Sequence, residues 1–212
     1  MKFEALIQQV QKLPFFDLAM ISQLSGESKR QLIVQLSQWV SQGKLLTLRR
    51  GMYALAPIYS KITLLPLQLA NHLYQPSYLS GLWVLSYYSI IPEKVTSFTS
   101  ISTRVTRRFE NSLGIFTYSH LKENLFWGYK EAEIEGVKIW IAEPEKALLD
   151  FFYLESGKWN PERLDEMRFQ NLEILSKKKL NDYAQKWESK RLVLIVKGLM
   201  EIIKKNEKYK KL

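Results

Sequence analysis

Two groups of residues in this chain have types and spacings suited to acting on other molecules. The first is basic and amide-bearing: Ser28, Lys29, Arg30, Gln31 and Gln35, followed by Arg49 and Arg50. Arg and Gln pair bidentately with guanine and adenine edges, so Arg30, Gln31 and Gln35 on one helix face can read double-stranded DNA. The arginine pair would reach phosphates or the minor groove, adding affinity more than sequence information. The second group is acidic with interleaved lysines: Glu131, Glu133, Glu135 and Lys138, then Glu143, Glu145, Lys146 and Asp150. Glu133, Glu135 and Lys138, or alternatively Glu143, Glu145 and Lys146, converging on Mg²⁺ would make a metal-dependent nuclease. A simpler reading gives these residues structural work. Glu131, Glu133 and Glu135 then share a solvated strand face, Glu143 and Glu145 sit at the positive end of a helix, and Lys146 pairs with Asp150 four residues on. That reading is adopted, so no catalytic residue, metal or cofactor is expected. A third cluster, Thr103, Arg104, Thr106, Arg107 and Arg108, suits an auxiliary contact to a nucleic-acid backbone or a charged strand edge that discourages pairing.

The elements that must position the first group are visible as periodicities. Phe3, Leu6, Ile7, Val10 and Leu13 recur at helical spacing, and Pro14 ends that helix. Asp17 can cap a second helix with Leu18, Ile21 and Leu24 inward, broken by Gly26. A third should start near Ser25 to Ser28, bury Leu32, Ile33, Leu36, Trp39 and Val40, and close at Gly43. The period then shortens to strands at 44–48 and 52–55 around a turn at Arg49-Arg50-Gly51. Three helices and a basic hairpin form the winged helix-turn-helix order, in which the start of the third helix meets base edges. A solvated helix face with a protein-contacting hairpin is the alternative.

Past a turn at Ala56-Pro57 the pattern becomes mixed. Leu64 to Leu73 reads as helical, Pro76 to Ser80 as a turn into a capped helix ending near Tyr88, and Val95 to Ser102 as a strand. A hairpin turn at Asn111 to Gly114 leads into a strand at Ile115 to Tyr118, and Val137 to Ala142 is another. Pro144 then opens a helix through Phe152. Trp83, Tyr87, Tyr88, Phe116, Phe126, Trp127 and Trp140 are assigned to the core in preference to a base-stacking platform. Helices follow: one from Asn160-Pro161, one with Leu180, Tyr183, Ala184 and Trp187 inward, and one with Leu192, Ile195, Val196, Leu199 and Ile203 inward, frayed from Lys204 to Leu212. The expected fold class is α+β, with domains at 1–56 and 57–212.

Composition narrows the function classes. The chain has 212 residues, 31 Lys+Arg, 21 Asp+Glu and a formal charge of +10, which favours a polyanionic partner. Residues 1–60 hold 7 basic and 3 acidic side chains (+4), 61–176 hold 12 and 14 (−2), and 177–212 hold 12 and 4 (+8). The basic tail suits auxiliary nucleic-acid affinity or an RNA or protein contact. Cysteine is absent, which removes disulfides and thiolate chemistry, and only His72 and His120 are available for imidazole chemistry. Gly43-Lys44 lacks the upstream glycine of a phosphate-cradling loop. The opening stretch lacks a signal-peptide core, no apolar run approaches a bilayer span, and Trp39 and Trp187 fall on core stripes. A cytoplasmic protein without a membrane partner is expected.

The run Ile141-Ala142-Glu143-Pro144-Glu145-Lys146-Ala147-Leu148-Leu149-Asp150 closely resembles the IAEPEKALLD signature of AbiEi-type proteins. Arg50 to Leu55, Pro76 to Ser80, Leu85 to Pro92, and Thr106 to Phe109 followed by Leu113 to Phe116 also resemble the family, in the same order over Asp17 to Leu154. These are the antitoxins and transcriptional regulators of abortive-infection toxin–antitoxin systems in bacteria. The resemblance implies a winged helix that binds its own operator and represses its own operon. It also implies an α+β antitoxin domain countering a nucleotidyltransferase-like toxin, with or without a stable complex. A metal-dependent nuclease, a toxin-modifying enzyme and a protein-interaction adaptor are the alternatives.

Overall fold

The computed structural model describes residues 1–209, with side chains as far as Lys204. The fold is mixed α+β, as expected. Contacts divide it into two units, one of Met1–Leu69 with Phe109–Ile115, the other of Ala70–Arg108 with Phe116–Leu212. By contact, then, 57–69 groups with 1–56.

In the first unit, α1 (Phe3–Val10), α2 (Leu18–Ser25) and α3 (Lys29–Ser41) precede the hairpin β2 (Leu45–Arg49) and β3 (Met52–Leu55). A strand that the sequence did not signal, β1 (Phe16–Asp17), pairs antiparallel with β3, giving a three-stranded sheet in the order β1-β3-β2. Asp17 caps α2, its Oδ1 accepting from the Met20 N–H at 2.7 Å. One core gathers Phe3, Leu6, Val10, Phe16, Ile21, Leu32, Leu36, Trp39, Leu45 and Leu55. Two expectations fail here. Leu24 and Ile33 were placed inward but are 51% and 50% exposed. On α3 the inward row is 32, 36 and 39, and Ile33 sits about 100° round the helix from Leu32. In the same unit, Asn111 Nδ2 donates to the Leu48 carbonyl at 3.0 Å.

Most of a six-stranded sheet belongs to the second unit, while its residues Phe109–Ile115 count with the first. Its order is β6 (Arg107–Asn111), β7 (Gly114–His120), β5 (Phe98–Ser102), β4 (Ser77–Leu79), β9 (Val137–Ala142), β8 (Tyr129–Ile134). The central β4 runs antiparallel to β5 and parallel to β9, with Leu79 opposite Ile141. This corrects the reading of Pro76 to Ser80 as a turn: three residues after a proline carry no period, yet Ser77, Tyr78 and Leu79 are all buried. Helix α4 is limited to Pro66–Ala70, shorter than the expected 64–73. It lies across the division between the units. Helix α5 (Gly81–Tyr87) follows β4, and α6 (Pro144–Leu154) follows β9. Glu131 and Glu133 share the outer face of β8, but Glu135 sits beyond the strand in the turn, with φ +52°. The assignment of Tyr87 and Trp140 to the core is also corrected, since each is 46% exposed. Trp140 alternates with the buried Ile139 and Ile141, so its strand parity carries it to the opposite face of the sheet.

Helices α7 (Pro161–Glu166), α8 (Lys177–Lys186) and α9 (Lys190–Tyr209) complete the unit. Leu192, Ile195, Val196, Leu199 and Ile203 are buried as their spacing requires, and so are Leu180, Ala184 and Trp187, while Tyr183 is only half-buried. Fraying was expected from Lys204 to Leu212, but α9 stays helical to Tyr209, and 210–212 lie outside the described residues. Among the described residues no helix is long and apolar enough to cross a membrane.

Candidate functional site

The start of α3 places its polar residues in two roles. Ser28 is the N-cap: its Oγ accepts from the Gln31 N–H at 3.4 Å and donates to Gln31 Oε1 at 2.8 Å. Gln35 is half-buried, its Nε2 donating to Glu27 at 3.0 Å and its Oε1 accepting from the Met1 amino group at 3.1 Å. These two side chains hold the turn before the helix. Lys29 and Arg30 are exposed, and so is Gln31 beside its cap. At the hairpin tip Arg50 is exposed, whereas Arg49 is half-buried and donates to the Arg50 carbonyl at 3.3 Å. The same helix also exposes Ile33 and Val34 at 50% and 55%.

The acidic motif of the second unit is internal. Lys146 and Asp150 are each 0% exposed on α6, and their ammonium and carboxylate are paired. Lys146 Nζ also donates to Tyr78 Oη at 2.9 Å, while Tyr78 Oη and Ser80 Oγ donate to Asp150 Oδ2 at 3.0 and 2.6 Å. The ammonium lies 4.2 Å from the Trp187 ring centroid and 5.1 Å from that of Trp127. Burial pushes the Lys146 ammonium below its ordinary pKa, with Asp150 opposing the shift. Burial likewise pushes the Asp150 carboxyl up, against Lys146 and the two hydroxyls. Burial and Asp150 raise the Tyr78 phenol well above its usual value. Ser80 stands at the N-cap position of α5, but with its hydroxyl given to Asp150 the helix takes its cap from Thr99, whose Oγ1 accepts from the Trp83 N–H at 3.0 Å.

The other two carboxylates of the motif face α8 instead of converging. Glu143 accepts from Lys179 Nζ at 2.7 Å and from Tyr183 Oη at 2.5 Å. Burial raises its carboxyl, but those two hydrogen bonds outweigh burial and hold it below the usual carboxylate value. Glu145 Oε1 accepts from the backbone N–H of Ser176, the residue that caps α8. Lys138 pairs with Glu131 at 3.4 Å on the solvated strand face. Among the described residues, no group of three or more His, Asp or Glu is placed to hold a metal ion. Arg107 and Arg108 are exposed on β6, while Arg104 lies over the Tyr74 ring at 4.9 Å and donates to the Gln75 carbonyl at 3.2 Å.

Sequence reasoning did not assign a role to Tyr78 and Ser80. A signal was available in the two hydroxyls flanking Leu79 in an otherwise apolar stretch. No family model matches the chain, and no curated protein matches it by sequence.

Proposed function

We propose that the protein is a DNA-binding transcriptional regulator that represses its own operon and serves as the antitoxin of a toxin–antitoxin pair. On this reading the first unit is a winged helix-turn-helix. The observation that carries it is the joint exposure of Lys29, Arg30 and Gln31 at the start of α3 and of Arg50 at the hairpin tip. A helix N-terminus with two cations and an amide suits a major groove, and a tip arginine suits the flanking backbone. The antitoxin half rests on the resemblance of Ile141 to Asp150 to the AbiEi signature. The Lys146–Asp150 core explains that motif structurally and needs no reaction.

The test is binding to the DNA upstream of the protein's own gene, followed by fluorescence anisotropy against salt. Arg50→Ala should weaken binding to all sequences and reduce the salt slope by about one. Binding that does not respond to salt would sink the proposal. A second reading, a protein-interaction adaptor, is favoured by the exposure of Leu24, Ile33 and Val34 on α2 and α3. Co-purification of a neighbouring protein without DNA affinity would select it. A nucleotidyltransferase-like toxin encoded next to this gene would support the antitoxin half.

A further inference from the structure

The second unit contains a cleft of about 480 Å³ that the DNA and antitoxin readings leave unused. Ring surfaces of Phe126, Tyr129 and Trp140 line it, together with Gln75, Ser77 and Lys138. That volume lies within the range of small-ligand pockets.

Two observations define what would fit. First, Trp140 is a held but open ring. Its backbone N–H donates to Asn71 Oδ1 at 2.7 Å and its carbonyl accepts from Asn71 Nδ2 at 3.3 Å, and Asn71 itself is 6% exposed. The indole meets Tyr129 edge-on, with centroids 5.8 Å apart at 88°, and Tyr129 is stacked in turn on the buried Tyr78 at 4.5 Å. This fixes the platform while 46% of Trp140 stays exposed. Second, Lys138 is the only lysine or arginine in the lining, and its pairing with Glu131 is solvent-exposed on both sides. An ion pair of that kind gives way readily to a stronger anion.

An open, flat π-face beside a cation matches a planar heteroaromatic ring that carries an anionic group. We propose that this cleft binds a mononucleotide, with the base against Trp140 and the phosphate toward Lys138. Every base offers a π-face, so the platform recognises the class without choosing the base. The site uses none of the residues assigned to DNA, so its failure would leave that reading untouched.

The experiment uses the full chain with AMP, GMP, CMP and UMP, in calorimetric titrations and saturation-transfer NMR. Adenosine, inorganic phosphate and a short single-stranded oligonucleotide are run alongside. At least one mononucleotide should bind with a Kd of about 1 mM or tighter. Trp140→Ala should weaken it by roughly tenfold or more, and Trp140→Phe should restore much of the loss. Lys138→Ala should weaken the nucleotide and leave adenosine unaffected. The proposal is overturned if no mononucleotide binds, if phosphate alone binds as well, if only the oligonucleotide binds, or if folded Trp140→Ala protein, checked by circular dichroism, binds like the parent.

Discussion

Lys146 and Asp150 stand one helical turn apart on α6 as a fully buried ion pair, closed by the hydroxyls of Tyr78 and Ser80. Spacing alone gives an exposed i,i+4 pair worth a few tenths of a kcal/mol. Burial changes its meaning, because removing one partner leaves a charge with neither water nor counter-ion. Lys146→Met or Asp150→Asn alone should each cost about 3–5 kcal/mol in urea unfolding. The double variant removes both charges while the amide oxygen still accepts from Tyr78 and Ser80, and it should recover a large part of that loss. Additive single effects would sink this account of the motif.

Gly128 and Gly136 separate backbone strain from crowding. Both have φ +76°, but a Cβ on Gly136 would meet nothing within 4 Å, whereas one on Gly128 would lie 3.0–3.1 Å from the Lys146 side chain. Gly136→Ala should therefore cost about 1–2 kcal/mol from the left-handed backbone alone. Gly128→Ala adds overpacking of roughly 1–3 kcal/mol, because the lysine it would displace cannot leave its pair. Thermal unfolding of the two variants side by side checks the order, and equal losses would show that Lys146 can move.

How far these features could be read from the sequence depends on whether period or pairing makes them. Leu192 to Ile203 repeats every three or four residues, and its buried face follows from that alone. Strand β4 has three residues and no period, and it owes its existence to β5 and β9 on either side, which lie far off in the chain. Glu143 and Glu145 obey the local rule for acids at a helix start, yet their partners Lys179, Tyr183 and Ser176 come from α8 and its cap, 31 to 40 residues on. The chemistry of Tyr78 and Ser80 was hidden for the same reason, since Asp150 is 70 and more residues away. Trp140 was misplaced because aromatic character favours burial, while strand parity decided its face.

The Glu143 carboxyl, held below its ordinary value, sets a pH dependence whose sign is fixed. A carboxylate with a depressed folded-state pKa contributes stability above its unfolded value, and that contribution is lost as the pH falls through the folded value. Urea midpoints should therefore drop below about pH 4, the ordinary carboxylate range. Asp150 is shifted upward by burial and acts in the opposite sense, so the comparison must be with Glu143→Gln, which leaves Asp150 in place. The acid-side loss should be shallower in Glu143→Gln, and identical profiles would show that the contacts to Lys179 and Tyr183 contribute nothing.

At the start of α3, capping and contact are assigned to neighbouring residues, and two substitutions should part them. Ser28 accepts the Gln31 N–H and donates to its side chain, while Arg30 points no described polar contact back into the protein and is exposed. Ser28→Ala should lower stability by about 1 kcal/mol, the usual loss for an N-cap. Its effect on DNA affinity should vanish at temperatures where the variant is fully folded. Arg30→Ala should leave the melting temperature nearly unchanged and relax discrimination at one base position, worth about 1–3 kcal/mol. Competition between the upstream DNA and singly substituted sites measures that discrimination. If Ser28→Ala relaxes specificity in fully folded protein, or Arg30→Ala lowers affinity equally for every sequence, the division of labour along this helix is wrong.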